Sequence, residues 1–284
     1  MQIEKITLDP ALYLVATPIG NIADITIRAL QTLCSVDYVA CEDSRVTNKL
    51  LSHYGLKASM MVYNDHSSDR DRQKIIEKIQ NGKSVALVSD AGMPLISDPG
   101  YKLVREMRDA EIKITVCPGA SSVLTGLIIS GLPTNNFLFA GFLAAKTVAR
   151  SKQLQELKII NKTTIIFEAA NRLTDTLADI RKVLGDRQVA VARELTKFYE
   201  EIKTGNVSEV TEYYHANPAR GEIVLIIGPD QNADLISDLE SLDRQLKLLL
   251  AQHSVKDAVE VMAGQSIFAK KEIYRRALLV LACH

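Results

Sequence analysis

Glu42-Asp43-Ser44-Arg45 brings two carboxylates and a guanidinium together in one short stretch. Carboxylates so placed could take a proton from a substrate hydroxyl, and the guanidinium could clamp an anionic neighbour. Capping of a following helix by Asp43 is the plainer use of the same residues. Arg45 argues against capping alone, because a cation in a first helical turn opposes the dipole. A second stretch, Ser89-Asp90-Ala91-Gly92, follows the apolar run Val85 to Val88 and leads through Pro94 to Asp98, Pro99 and Gly100. Asp90 could accept bonds from ligand hydroxyls or pair with an ammonium group. Gly92 lets backbone approach a ligand closely. A tight turn in which Asp90 only caps a helix accounts for those residues equally well.

Other candidates are weaker. Thr17-Pro18-Ile19-Gly20-Asn21 is a glycine-bearing turn after an apolar run, a place where nucleotide-type ligands sit. Neither G-x-G-x-x-G nor G-x-x-x-x-G-K-[ST] occurs, which counts against a dinucleotide site and a P-loop. His66 could serve as an acid or base, though a lone histidine in a polar loop is more often solvated. Arg193-Glu194-Leu195-Thr196-Lys197, with Glu200 and Glu201 beyond, could hold an anion or form a surface ion-pair network. Lys270, Lys271, Arg275 and Arg276 put four cations on the last helical stretch. Such a face can meet phosphates, or it is a solvated face whose cations suit a helix C-terminus. No metal is called for.

The elements that would position these residues alternate. Leu12–Ala16, Val36–Cys41, Ser59–Tyr63, Ser84–Val88 and Lys113–Val116 read as strands. Thr26–Leu33, Asp43–His53, Arg70–Gln80 and Ser97–Ala110 read as helices between them. This rhythm predicts an α/β fold with a largely parallel sheet covered by helices. The candidate loops then fall at the carboxyl ends of strands, where open α/β sheets bind ligands. A helix, Ser121–Ser130, leads to a second series with strands Phe137–Ala140, Thr163–Phe167, Val189–Arg193 and Glu222–Ile227. Helices are expected there at Arg172–Leu184 and Ser208–His215. The tail has helical periodicity only, in Leu239, Leu242, Leu246 and Leu249, then Val255, Val259 and Met262, then Ile273, Ala277 and Val280. Its last two helices flank Ala263-Gly264-Gln265, a helix–turn–helix-like connection. The expected domains are residues 1–122, 123–230 and a helical appendage at 231–284.

Composition narrows the class. The chain has 284 residues, 47% of them hydrophobic, which suffices for sizeable cores. Lys and Arg number 34, as do Asp and Glu, so the formal net charge is zero. That balance withholds the basic footprint usual for nucleic-acid binding without excluding a local basic groove. Cys34, Cys41, Cys117 and Cys283 form no C-x-x-C pair and read as incidental thiols of a reduced, cytoplasmic chain. MQIEKITLDP lacks the apolar core of a signal peptide, and no apolar run is long enough to span a membrane.

Eight stretches in order resemble the ribosomal small-subunit RNA methyltransferase I family, within the tetrapyrrole-methylase superfamily. They are LYLVATPIGN (12–21), DITIRAL (24–30), CEDSRVTNKLL (41–51), ALVSDAGMPLISDPG (86–100), CPGASS (117–122), GLPTNNFLFAGFL (131–143), ARELTKFYEE (192–201) and RGEIVLIIG (220–228). The resemblance implies two α/β domains of tetrapyrrole-methylase type with a cofactor cleft between them, and a homodimer. It implies methyl transfer from S-adenosylmethionine to the ribose 2′-hydroxyl of a cytidine in 16S rRNA of the small ribosomal subunit. By the same resemblance Pro18, Ser89, Asp90, Ala91, Gly92, Ser121 and Ser122 would line the cofactor pocket, with Phe167, Ala192 and Arg193 contributing from the second domain. Glu42, Asp43 and Arg45 would face the substrate, and Arg45, Arg172 and Lys197, by their placement in strand-end loops, would hold RNA phosphates. The chain departs from the family pattern at Met93 and Ser44, each a threonine there, and at Ala144, a proline there. It departs again at Asn171, so no role for a histidine is carried over to that place. A tetrapyrrole methyltransferase and a non-catalytic RNA-binding or ribosome-assembly protein stay open as alternatives.

Overall fold

The protein is described by a computed structural model covering residues 3–230 and 236–282. Cys283 and the first residues of the expected appendage lie outside the described residues. The chain divides into two compact units, one comprising Met1–Gly126 and Glu194–Glu201, the other Leu127–Arg193 and Ile202–His284.

The first unit alternates strands and helices: β1 (Leu12–Val15), α1 (Ile27–Ser35), β2 (Tyr38–Cys41), α2 (Ser44–His53), β3 (Met60–Val62), α3 (Asp69–Gln80), β4 (Val85–Val88), α4 (Tyr101–Asp109) and β5 (Ile114–Cys117). The sheet runs β3-β2-β4-β1-β5, and its strand pairs are all parallel. Central β4, with the sequence VALV, is buried at all four positions. A strand covered on both faces has no use for polar alternation, which is why its apolar run stands out in the sequence. Side chains alternate between faces. Tyr13, Val15, Val39, Ala86 and Val88 pack with Leu30 and Leu33 of α1 and Leu51 of α2. Leu12, Ala40, Val85 and Leu87 pack with Ile75 and Ile79 of α3 and Leu103 and Met107 of α4.

Helix α5 (Ser122–Ile129) carries the chain into the second unit. There follow β6 (Phe137–Phe142), α6 (Thr147–Ile160), β7 (Thr163–Ala169), α7 (Leu173–Leu184), β8 (Gln188–Arg193), β9 (Glu201–Asn206), α8 (Val207–Ala216) and β10 (Glu222–Ile227). The order is β6-β7-β10-β8-β9. This sheet is mixed: β6 and β7 are parallel, while β10 is antiparallel to both β7 and β8. Its main core joins Ile166, Val189, Val191, Ile223 and Leu225 to Leu154 of α6, Leu173, Leu177 and Ile180 of α7, and Val207 and Val210 of α8. The tail forms α9 (Leu239–Leu250), α10 (Val255–Ala263) and α11 (Lys270–Ala282). Leu242, Leu246, Leu249, Val259, Met262, Ile273 and Ala277 make its own buried cluster.

Three elements differ from the sequence reading. Helix α4 begins at Tyr101, not Ser97, because Leu95 (φ 73°) and Ser97 (φ 64°) are left-handed and Pro99 disfavours helix before it. Helix α6 leaves no apolar stripe in the sequence because it buries only Leu154 and Arg150. Arg150 is buried as an ion pair, its Nε donating to Asp179 Oδ2 at 2.7 Å. Strand β9, EIKTGN, lies at a sheet edge and has no apolar alternation to reveal it.

Candidate active site

The order β2-β4-β1 sets the loops after these strands side by side. They are tied together by their backbones. Thr17 and Gly92 exchange two hydrogen bonds, Thr17 N to Gly92 O at 2.9 Å and Gly92 N to Thr17 O at 3.1 Å. Thr17 Oγ1 donates to Ser89 O at 3.1 Å, and Ser89 Oγ donates to Gly92 O at 3.2 Å. The Asp43 N–H donates to Asp90 Oδ1 at 3.2 Å, joining the β2 loop to the β4 loop. Gly92 is required here: its φ is 83°, and a Cβ would stand 3.2 Å from Ile19 Cγ2. Pro18, Ser89, Asp90, Ala91 and Gly92 are thus one constellation, with Ala91 exposed and Asp90 and Pro18 half-buried. Ser121 and Ser122 follow β5, at the same sheet's carboxyl edge, where Ser122 opens α5.

Glu42, Asp43 and Arg45 take different parts. Asp43 caps α2, its Oδ1 accepting from Arg45 N at 2.8 Å. The same carboxylate accepts from Arg45 Nε and Nη2 at 3.0 and 2.6 Å. These bonds with the Arg45 side chain, first among the causes, hold the Asp43 carboxyl down at about 2. Arg45 is therefore an exposed partner of the cap, and the opposing cation in the first turn has a local explanation. Glu42 behaves otherwise. Burial, then the nearby carboxylates of Asp90, Asp65 and Asp43, push its proton affinity up. Asp98, which the sequence reading did not place in the site, joins this group. Burial, with Glu42, Asp90 and Asp65 adding to it, raises the Asp98 carboxyl to about 6, against the pull of its bond with Ser89. A sequence signal existed in the second Ser-Asp of SDAGMPLISDPG, but only burial distinguishes Asp98 from a turn residue. His66 is exposed in a loop whose own Asn64 Oδ1 accepts from the His66 N–H at 3.0 Å.

In the second unit Phe167, Val224 and Ala192 lie in one row across β7, β10 and β8. Directly paired residues share a sheet face, so Phe167 and Ala192 lie on the face opposite the Ile166–Val191–Leu225 core. Phe167 packs edge-on against Phe139, with ring centroids 4.9 Å apart. Arg193 lies in the next row, beside Ile223 and Glu168. Arg172 is committed to structure: its Nη2 donates to Leu143 O at 2.8 Å and its Nε stands 3.2 Å from Glu168 Oε1. Glu168 is buried and also accepts from Thr176 Oγ1 at 2.6 Å. Lys197 Nζ is 3.1 Å from Glu194 Oε1. The four cations of α11 do not make an uncompensated stripe. Lys270 pairs with Glu260 at 2.7 Å, Arg275 with Glu272 at 2.7 Å, and Arg276 with Asp243. Among the described residues no group of His, Cys, Asp and Glu could hold a metal ion, and no helix is long and apolar enough to cross a membrane.

Residues 11–211 match the family model described as Tetrapyrrole (Corrin/Porphyrin) Methylases, and residues 237–281 match the RsmI C-terminal HTH domain. The chain is 44% identical over 270 residues to Ribosomal RNA small subunit methyltransferase I of Rickettsia prowazekii (strain Madrid E), covering 94% of this chain and 96% of that one. It is 45% identical to the protein of the same name from Mesorhizobium japonicum, over 95% of this chain and 92% of that one, and 39% identical to that of Bacillus subtilis (strain 168), over 93% and 92%. The chain belongs to the ribosomal RNA small subunit methyltransferase I family. Among solved structures, a cobalt precorrin-4 methyltransferase of cobalamin biosynthesis shares the fold at 18% identity, with a TM-score of 0.59 over 77% of this chain and 95% of that one. Membership makes the chain a methyltransferase by family.

Proposed function

We propose that this protein transfers a methyl group from S-adenosylmethionine to the ribose 2′-hydroxyl of a cytidine in 16S rRNA of the small ribosomal subunit, acting as a homodimer in the cytoplasm. The observation that carries the reading is similarity over more than nine-tenths of each chain, tail included, to proteins named for small-subunit rRNA methylation. The tetrapyrrole-type neighbours support the fold alone.

The residues of the first unit fit such a donor. S-adenosylmethionine supplies a methyl group already activated on a sulfonium cation. Asp90 presents a half-buried acceptor carboxylate suited to ribose hydroxyls or an ammonium group. Gly92, whose added side chain would crowd Ile19, leaves backbone free to line the pocket. The carboxylates of Glu42, Asp65, Asp90 and Asp98 repel one another, and a cationic ligand relieves that repulsion. With an activated donor, positioning supplies much of the rate. Glu42 takes the proton of the attacking hydroxyl, because its raised proton affinity makes it a better base than Asp43. Asp43 and Arg45 order the start of α2 beside it.

The test is incubation with radiolabelled S-adenosylmethionine and, separately, naked 16S rRNA, 30S subunits and a tetrapyrrole. Label in 16S rRNA at a linkage resistant to alkali supports ribose methylation. Label on the tetrapyrrole alone refutes it, as does cofactor binding without transfer to any acceptor.

A further inference from the structure

Phe198 and Tyr199 are the outlying observation on the surface. Phe198 is 92% exposed and Tyr199 is 70% exposed. Aromatic side chains this large rarely forgo burial together. They also sit on a loop that is held rigidly. Glu194 (φ 51°) and Thr196 (φ 62°) are both left-handed, and a β-branched residue in that region is an outlier that only its surroundings can enforce. Those surroundings are visible. Thr196 Oγ1 accepts from Asn21 N at 2.8 Å, and Thr196 N donates to Glu200 Oε2 at 2.7 Å. Lys197 N donates to Glu194 O at 3.0 Å and Glu200 N to Lys197 O at 3.1 Å. Leu195 is buried beneath. Gly20 lets the turn after β1 come against the loop, since a Cβ there would fall 2.5 Å from Leu195 O. The loop follows β8 in the chain, yet it belongs to the unit that carries Thr17, Gly92 and Glu42.

We infer that Phe198 and Tyr199 form a stacking platform that binds an unpaired nucleobase of the RNA substrate. The inference rests on the proposed RNA activity and adds the residues that hold the base. A ribose hydroxyl is delivered to a strand-end site only if its nucleotide is drawn out of the surrounding RNA, and splayed bases are held by stacking on aromatic rings. The two rings stand 5.0 Å apart at 90°, so they offer two differently oriented surfaces to a flat ligand. Stacking, not charge, is what this loop contributes: Lys197 is offset by Glu194, and Glu200 and Glu201 are adjacent.

The test uses the full chain, 30S subunits and labelled S-adenosylmethionine, with wild type, Phe198→Ala, Tyr199→Ala and Phe198→Trp. The chain has no tryptophan, so Phe198→Trp is also a unique fluorophore. Its emission is followed as an unstructured single-stranded RNA oligonucleotide is added, a readout independent of turnover. The expected result is a rise in KM of about tenfold for Phe198→Ala, the size of one lost base–aromatic stack. With it go kcat within twofold of wild type, recovery of KM in Phe198→Trp, and tryptophan quenching by RNA. The salt dependence of binding stays unchanged, because no phosphate contact is removed. Wild-type KM in both alanine variants, or no quenching, overturns the platform. So does a change of oligomeric state in the alanine variants, which would make the rings a contact between copies. Failure of wild type to methylate any RNA refutes the activity instead, and the quenching then decides the platform separately.

Discussion

At the scale of single residues, Glu42 and Asp98 have raised proton affinity at the proposed site, and each gives a measurable consequence. Asp98 holds its proton to about pH 6, against the 3.8 ordinary for an aspartate. Its folded form therefore binds protons more tightly than its unfolded form, and ionisation costs stability. That cost is present in full above about pH 6 and fades as the pH falls toward 4. Asp98→Asn should raise stability at pH 8 by about 1 kcal/mol, since solvent screens this half-buried carboxyl, and leave it nearly unchanged near pH 4. Urea midpoints at the two pH values check this, and equal midpoints for variant and wild type at pH 8 would refute it. Glu42 is raised by burial first and by carboxylate neighbours second. As a base it works only when ionised, so turnover should climb as the pH rises through its titration. Glu42→Gln should lower kcat roughly 100-fold, the lower range for general-base catalysis, while thermal unfolding stays cooperative. A kcat within threefold of wild type would remove Glu42 from the role.

At the scale of elements, the polar ties between helices and loops are as decisive as the apolar stripes. The buried pair of Arg150 on α6 and Asp179 on α7 joins two helices that cover the second sheet. Arg150 also donates to Ala145 O at 3.2 Å, which anchors the loop before α6. Arg150→Ala leaves Asp179 without this partner in a buried place, and about 3–5 kcal/mol should be lost. Chemical denaturation measures that loss, and a change below 1 kcal/mol would mean that water replaces the pair. In the first unit the Thr17–Gly92 bridge makes the loops of β1 and β4 a single backbone frame. Gly92→Ala has to adopt a φ of 83° and push Ile19 aside. A stability loss of about 1 kcal/mol or more is expected, together with weaker S-adenosylmethionine binding by calorimetry. Unaltered cofactor affinity would place the ligand elsewhere.

At the scale of the whole molecule, the helical appendage has a core of its own. Leu246 is fully buried among Leu242, Met262 and Ile273. Leu246→Ala should destabilise the three helices by about 2–5 kcal/mol. Hydrogen exchange should then accelerate across 239–282 while the strands of the first unit keep their protection. Acceleration spread evenly through both units would mean that the appendage and the rest unfold as one. The near balance of charge is also visible in α11, where Lys270, Arg275 and Arg276 each face a carboxylate. Arg276→Ala should change stability by less than about 1 kcal/mol, because the pair with Asp243 is partly exposed.

The sequence by itself determines the alternation of strands and helices, the buried faces of the first sheet and the helical tail. It does so because a strand buried on both faces must be continuously apolar and a helix buried on one side must repeat its apolar residues. It also determines the family, through eight ordered stretches, and it points to the loops after β1, β2 and β4. Helix α6 and strand β9 are illegible, since one buries an arginine pair and the other lies polar at an edge. The antiparallel setting of β10 is illegible too, for strand direction leaves no mark on an apolar run. Only the tertiary structure decides that Asp43 and Arg45 pair with each other, leaving Glu42 with the raised proton affinity. It alone adds Asp98 to that group and lifts Phe198 and Tyr199 into solvent on a loop braced by Asn21. Proton affinity and exposure depend on what surrounds a side chain, and residues distant in the chain supply those surroundings.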